Sequence, residues 1–137
     1  MIELVKRAIK FSKRIAVISN QTEYNYDQLL RKSNSIASSL LDNQIDLSEE
    51  RVAFLIPSSF EYVVTQWAIW RAGGIAVPLC TLHPLPSLRY VIEDSEASIL
   101  IVSKEYKALL EPIAKQLKIR LLVVDDLLDT PRIDLPE

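Results

Sequence analysis

Residues 52–56 read Val-Ala-Phe-Leu-Ile, an apolar run with no polar alternation, and Pro57 ends it. A strand over residues 51–56 with that pattern has no face for solvent, so it belongs to a sheet covered on both sides, as parallel sheets are. This requirement sets aside meanders and sandwiches with one wet face and demands helices above and below the sheet. The flanking sequence supplies them. Ser58 with Glu61 three residues later reads as a capping box, opening a helix on which Phe60, Val63, Val64, Trp67, Ala68, Ile69 and Trp70 are apolar almost all round. Arg71-Ala72-Gly73-Gly74 closes that helix with a glycine able to take positive φ at little steric cost, and residues 75–79 return as a buried strand. Pro78 in that run marks a sheet edge or a strand end.

The alternation continues, with a helix over residues 86–94, a strand at 98–102, a helix over 103–117 that Pro112 kinks or restarts, and a strand at 120–124. Upstream lie a first helix, a strand at 15–19, a turn at Asn20-Gln21 and a short return at 22–24. Asn25 with Gln28 is a second capping box, opening a helix whose face of Leu29, Leu30, Ile36, Ala37, Leu40 and Leu41 fades near Asp42-Asn43. The predicted fold is α/β, a parallel doubly wound sheet flanked by helices with right-handed crossovers. Residues 1–124 form the α/β subdomain, and residues 125–137, with their acids, Pro131 and Pro136, read as a connector or tail.

Composition narrows the function. In 137 residues, 49% hydrophobic content can bury one core, and 16 Lys+Arg against 18 Asp+Glu leave no basic surplus, so nucleic acid is not an expected partner. Arg71 and the glycine pair interrupt the longest apolar candidate, residues 63–79, so no membrane span is expected. Residues 1–14 carry Lys6, Arg7, Lys10, Lys13 and Arg14 on a helical background. They read as an amphipathic first helix with a solvated basic face or as an organellar targeting peptide, with Glu3 and the short length against the second. The only cysteine, Cys80, cannot form an internal disulfide, which fits a reducing, cytoplasmic setting, and the only histidine, His83, leaves no zinc-type cluster. The two glycines are adjacent, so no glycine-spaced phosphate loop, dinucleotide fingerprint or nucleophile elbow can be present.

Three groups invite a chemical reading. Cys80 and His83 resemble a nucleophile with its base, yet lack a third orienting group, and read rather as a buried small thiol at a strand end and a loop histidine that caps or bonds the helix begun at Pro84. Asp125-Asp126 after a strand can be a Mg²⁺ ligand pair or a solvated connector. Tyr62, Trp67 and Trp70 can be a ligand platform or core packing. Composition and spacing stop there, at one α/β domain with no complete active site.

The segment WRAGGIAVPL, residues 70–79, resembles the second core motif of the adenylate-forming superfamily, and YNYDQL, residues 24–29, resembles the first. RVAFLIPSSFEYVVTQWAIW, residues 51–70, and HPLPSLRYVIEDSEASILIVSKEY, residues 83–106, are similar to acyl-CoA synthetases of the malonyl-CoA synthetase-like branch. The likeness runs over residues 2–124. It implies the N-terminal part of the adenylate-forming synthetase fold, with Tyr26, Gly73, Gly74 and Pro78 as structural motif positions.

Enzymes of that family activate a carboxylate with Mg-ATP to an acyl-adenylate, and the CoA thiol then displaces AMP. Their Ser/Thr/Gly-rich phosphate loop with its lysine, their adenine, ribose and magnesium motifs, and their small C-terminal domain lie downstream of the region matched. The resemblance therefore implies no catalytic and no metal-binding residue in this chain. It implies ATP, Mg²⁺ and CoA for the parent enzyme, none held tightly by this chain alone. The loop after the second motif, Cys80 to His83 with Thr81 and His83 singled out, and the next strand–helix junction, Ser103 to Lys107 with Lys104 and Lys107 singled out, fall near the CoA nucleotide, where a lysine can meet a phosphate. The expected partner is the remainder of the synthetase, and an uncovered apolar face would favour self-association. The expectation is an N-terminal fragment, inactive by itself. The alternative is a free-standing, non-catalytic α/β interaction module from a truncated gene, and malonate as the acyl substrate follows from overall likeness alone.

Overall fold

The computed structural model describes residues 1–137. In chain order the elements are α1 (Glu3–Lys10), β1 (Ile15–Ser19), β2 (Thr22–Asn25), α2 (Tyr26–Leu41), β3 (Arg51–Leu55), α3 (Phe60–Arg71), β4 (Ile75–Pro78), α4 (Leu85–Asp94), β5 (Ile99–Val102), a 3₁₀ turn (Lys104–Tyr106), α5 (Lys107–Leu117), β6 (Arg120–Val123) and a second 3₁₀ turn (Val124–Asp126). Four strands pair in parallel in the order β4-β3-β5-β6. The chain leaves β3 toward β4, then crosses back past β3 to β5 and on to β6. Right-handed crossovers in opposite directions put their helices on opposite faces of the sheet.

Burial follows from that topology. Val52, Phe54, Ile56, Ile99 and Ile101 pack under α1, α2 and α3, while Ala53, Leu55, Leu100 and Val102 pack under α4 and α5. Both faces of β3 and β5 are therefore dry, which is why these strands read as unbroken apolar runs. Pro78 is the last residue of the edge strand β4, where its missing N–H costs no ladder bond. The β1–β2 hairpin turns through Asn20 and Gln21, both at positive φ. It is pinned to α3 by Tyr24, whose ring stacks on Phe60 at 3.9 Å. The Asn25–Gln28 capping box is complete, with bonds of 2.8 and 2.9 Å. No helix is long and apolar enough to cross a membrane.

Several local expectations change. Ser59, not Ser58, caps α3: its hydroxyl accepts from Tyr62 N–H at 3.3 Å and donates to the Pro57 carbonyl at 2.8 Å. Ser58 lies outside the helix and exposed, so no capping box forms with Glu61, which sits in the first turn. The helix foreseen over 103–117 breaks at Tyr106/Lys107, because Tyr106 N–H returns to Ser103 at 2.9 Å in a tight turn before α5 starts. Pro112 is inside α5 and does not end it; burial of Leu110, Ile113 and Ala114 holds the helix across the one bond proline cannot make. Trp67 is 9% exposed and tilted against Tyr26, and Tyr62 meets Phe54 edge-on, whereas Trp70 is exposed. Two of the three aromatic side chains are thus packed on core or motif rings.

Long-range polar contacts finish the α2–α3 layer. No basic residue stands in the last turn of α2; instead Arg120 at the start of β6 donates to the Leu40 and Ser39 carbonyls at 3.0 and 2.6 Å, facing the negative end of the helix. Residues 125–137 lie along α2. Leu127 is buried, Ser39 donates to Thr130 at 2.9 Å, and the Asn34 side chain makes paired bonds with the Ile133 backbone at 3.1 and 3.3 Å. At the far end Arg71, 6% exposed, donates to both Glu137 carboxylate oxygens at 2.6 and 2.8 Å and to Leu30 O and Ser33 Oγ. Thr65 Oγ1 is the exception, fully buried without a partner. Replacing it in T65V removes an unpaid desolvation and is expected to stabilise the chain by about 1 kcal/mol. A urea midpoint lower than that of the parent would mean the hydroxyl has a partner after all.

Candidate functional site

In a parallel sheet all strands deliver their following loops to one edge, and ligands sit there, where neighbouring strands send their crossovers in opposite directions. Here that point lies between β3, which leads into α3, and β5, which leads into α5. A cleft of about 180 Å³ opens at it, lined by Pro57, Ser59 and Glu61 from the β3 side, Ser103 and Glu105 from the β5 side, and Asp125 after β6. Ser103 N–H donates to Leu55 O at 3.2 Å, and Asp125 Oδ1 accepts the Lys104 N–H at 3.1 Å. These bonds fix both walls. Ser103 Oγ also points to Glu105, at 3.3 Å.

None of Thr81, His83, Lys104 and Lys107, the residues singled out for a ligand, lines this cleft; they lie on connections at the same edge of the sheet. Lys104 and Lys107 are exposed at the start of the β5–α5 connection, and no ion pair or side-chain hydrogen bond holds either ammonium. Thr81 is half-buried and His83 exposed in the loop after β4, where His83 N–H donates to Cys80 O at 3.1 Å. With β3 between β4 and β5, the two groups are separated by two strand spacings, roughly 10 Å. They share the carboxyl edge but do not converge on one atom. Cys80 is a free, exposed thiol and not the buried one expected, because it follows the edge strand β4, and no three acidic, histidine or cysteine side chains come close enough to hold a metal ion.

Charge divides the edge. Glu61, Glu105 and Asp125 line the cleft itself, which disfavours a phosphate inside it. The β4 end carries no acid from Leu79 to Leu88, and the N-terminus of α4 opens there without a side-chain cap. Sequence reasoning placed the junction Ser103–Lys107 near the ligand but did not find Ser59 opposite it; the strand order brings Ser59, Ser103 and Glu105 together.

Tyr26, Gly73, Gly74 and Pro78 fall in the scaffold, not the cleft. Tyr26 opens α2 with its ring 6.3 Å from that of Trp67. Gly73 has φ +82°, and Gly74 lies against Ile69, Leu47 and the Glu50 carbonyl.

A family model described as AMP-binding enzyme matches residues 4–134. The chain belongs to the AMP-binding enzyme family. It is 38% identical over 134 residues to a malonate–CoA ligase ACSF3, mitochondrial, of Homo sapiens, covering 95% of this chain and 23% of that protein. Among solved structures, the o-succinylbenzoate coenzyme A synthetase of Bacillus subtilis in complex with ATP and magnesium ion superposes with a TM-score of 0.83 at 22% identity, over 96% of this chain and 35% of that one. The anthranilate CoA ligase AuaEII in complex with anthranoyl-AMP gives 0.79 at 25% identity, over 93% and 25%. This AMP-binding enzyme chain thus spans about a quarter or less of the curated relative's length and has the N-terminal part of the adenylate-forming fold.

Proposed function

We propose that this chain is the N-terminal α/β portion of an ATP-dependent acid–thiol ligase, one that converts a carboxylic acid, ATP and Mg²⁺ to an acyl-adenylate and passes the acyl group to CoA. The observation that carries the reading is the family match over residues 4–134 together with similarity to malonate–CoA ligases at 37–42% identity. Malonate is accordingly the first acid to test. Within such an enzyme, residues 1–124 supply one sheet layer and residues 125–137 lead toward the nucleotide-binding and C-terminal parts. Thr81, His83, Lys104 and Lys107 contribute to the wall beside the CoA nucleotide, with the acid-free β4 end suited to its phosphates. Alone, the chain lacks positioned cations and backbone donors for a transferring phosphate, so it neither catalyses nor holds ATP, Mg²⁺ or CoA tightly.

The test joins this segment to the remainder of a malonate–CoA ligase in place of that enzyme's own. The chimera is expected to form malonyl-CoA, the isolated chain none, and charge reversal at Lys104 with Lys107 to raise KM for CoA with kcat little changed. Product from the isolated chain, or a chimera that folds yet makes none, overturns the reading. Without the rest of the enzyme, the open edges of β4 and β6 favour pairing with a second copy, visible as a molar mass that rises with concentration in light scattering. The free Cys80 thiol fits a reducing compartment, cytoplasm and mitochondrial matrix alike, and the matched human relative is named mitochondrial; fluorescence of a tagged full-length parent decides between the two.

A further inference from the structure

Lys32, Arg71, Arg89 and Arg120 are held by long-range contacts, whereas most cations at the start of the chain are not. Residues 1–14 hold five cations, Lys6, Arg7, Lys10, Lys13 and Arg14, against one acid, Glu3, in a chain whose net charge is −2. Lys6 pairs with Glu3, and the nearby Asp27 pairs with Arg31, which leaves Arg7, Lys10, Lys13 and Arg14 exposed and without a carboxylate partner. Arg14 lies over the Phe11 ring at 4.2 Å, which holds its guanidinium at the surface. Beside these cations stand aliphatic side chains the fold does not cover. Val5 and Ala8 anchor α1 to the core, while Leu4, Ile9 and Ile15 remain 46%, 50% and 51% exposed. Arg7 and Arg14 rim an open groove floored by Leu4, Ala8, Phe11 and Ile15.

We infer that this surface docks the chain on an anionic phospholipid surface. Unpaired cations beside separate aliphatic tips match a layer of mobile anionic headgroups, into which the tips insert, and need no shape complementarity from a partner. An acidic protein face would need fixed carboxylates opposite four cations spread over both a helix and the turn after it. The docking is peripheral and reversible, because the main apolar stripe of α1 is committed to the core.

The experiment is sedimentation of the full chain with phosphatidylcholine vesicles with and without about 30 mol% phosphatidylserine, with polyglutamate as the competing acidic polymer. Partition to the anionic vesicles is expected to exceed that to neutral ones by about tenfold or more, and to collapse in about 0.5 M NaCl, where screening shortens to roughly 4 Å. The variant R7Q/K10Q/K13Q/R14Q, checked by circular dichroism for an unchanged fold, is expected to bind no better than to neutral vesicles. R51Q/K115Q/K118Q/R132Q, with the same charge change elsewhere, is expected to keep binding. Equal partition to both vesicle types, equal loss in the two variants, or capture by polyglutamate without vesicle binding each overturns the inference.

Discussion

Replacing Glu137 by leucine is expected to destabilise the chain by about 3 kcal/mol, near the lower end of what breaking a buried ion pair costs. Glu137 and Arg71 have side chains only 7% and 8% exposed, and their contact is bidentate, so removing the carboxylate leaves a guanidinium that cannot deprotonate inside the α2–α3 layer. Arg71 keeps Leu30 O and Ser33 Oγ but loses two charge-assisted bonds. Residues 131–137 belong to no helix or strand and can shift to admit water, which is why the lower end of the range applies. For R71M/E137L, with no charge left to bury, part of that stability is expected to return, a non-additivity that a double-mutant cycle in urea measures directly. Hydrogen exchange provides the local readout: the Ile133 amide, held by Asn34, is expected to lose protection in E137L while β3 and β5 amides stay slow. Additive single and double variants would mean that the pair is solvated in solution and that residues 125–137 are held by Leu127 and Asn34 instead.

That clasp also marks where sequence reasoning stops. The parallel sheet, its double covering, the Asn25 cap and the glycine turn were legible because each is written in residues within one helical turn or one strand of each other. The role of residues 125–137 is not. Proline and acids dominate there, and the partners that give the segment its place, Ser39, Asn34 and Arg71, lie 66 to 99 residues away. The Arg120 cap on α2, 80 residues from Leu40, is hidden for the same reason. The one-residue error of Ser58 for Ser59 arises because Ser58 alone has a glutamate at capping-box spacing, whereas the observed cap, Ser59, is fixed by its bonds to Tyr62 N–H and Pro57 O, which that spacing does not encode.

The site shows the same division. Thr81, His83, Lys104 and Lys107 were placed by resemblance, and the strand order puts them on one edge without joining them. The carboxylates Glu61, Glu105 and Asp125, which set the charge of the cleft between, come from three different connections. No spacing in the sequence links residues 61, 105 and 125; the β4-β3-β5-β6 order does. Any phosphate recognised here must approach from the β4 side or be accompanied by a cation.

Gly73→Ala is expected to lower stability by about 2–3 kcal/mol, the sum of roughly 1–2 for a left-handed alanine and about 1 for a displaced hydrogen bond. Gly73 ends α3 at φ +82°, and the turn it makes closes two bonds, Gly73 N–H to Trp70 O at 3.0 Å and Gly74 N–H to Ile69 O at 2.9 Å. A Cβ there would stand 2.1 Å from Asp46 Oδ1, which itself accepts the Ser48 N–H at 2.7 Å, so Asp46 must swing out and release that amide. The two contributions separate. In the D46A background, where the clash is gone, the same glycine change is expected to cost only the conformational part. Gly74→Ala is expected to cost less than Gly73→Ala, since Gly74 is not at positive φ and its contacts, at 3.1–3.2 Å with Ile69, Leu47 and the Glu50 carbonyl, ask only for small shifts. Because Gly74 leads directly into β4, and Ile75 N–H bonds to that Glu50 carbonyl at 2.9 Å, the backbone strain at Gly73 that a swing of Asp46 does not relieve is passed on as a shift of β4 against β3. Such a shift carries Thr81 and His83 along the edge. In the chimeric ligase, G73A is therefore expected to raise KM for CoA more than KM for ATP, whereas a loss confined to folding would lower the active fraction and leave both KM values unchanged.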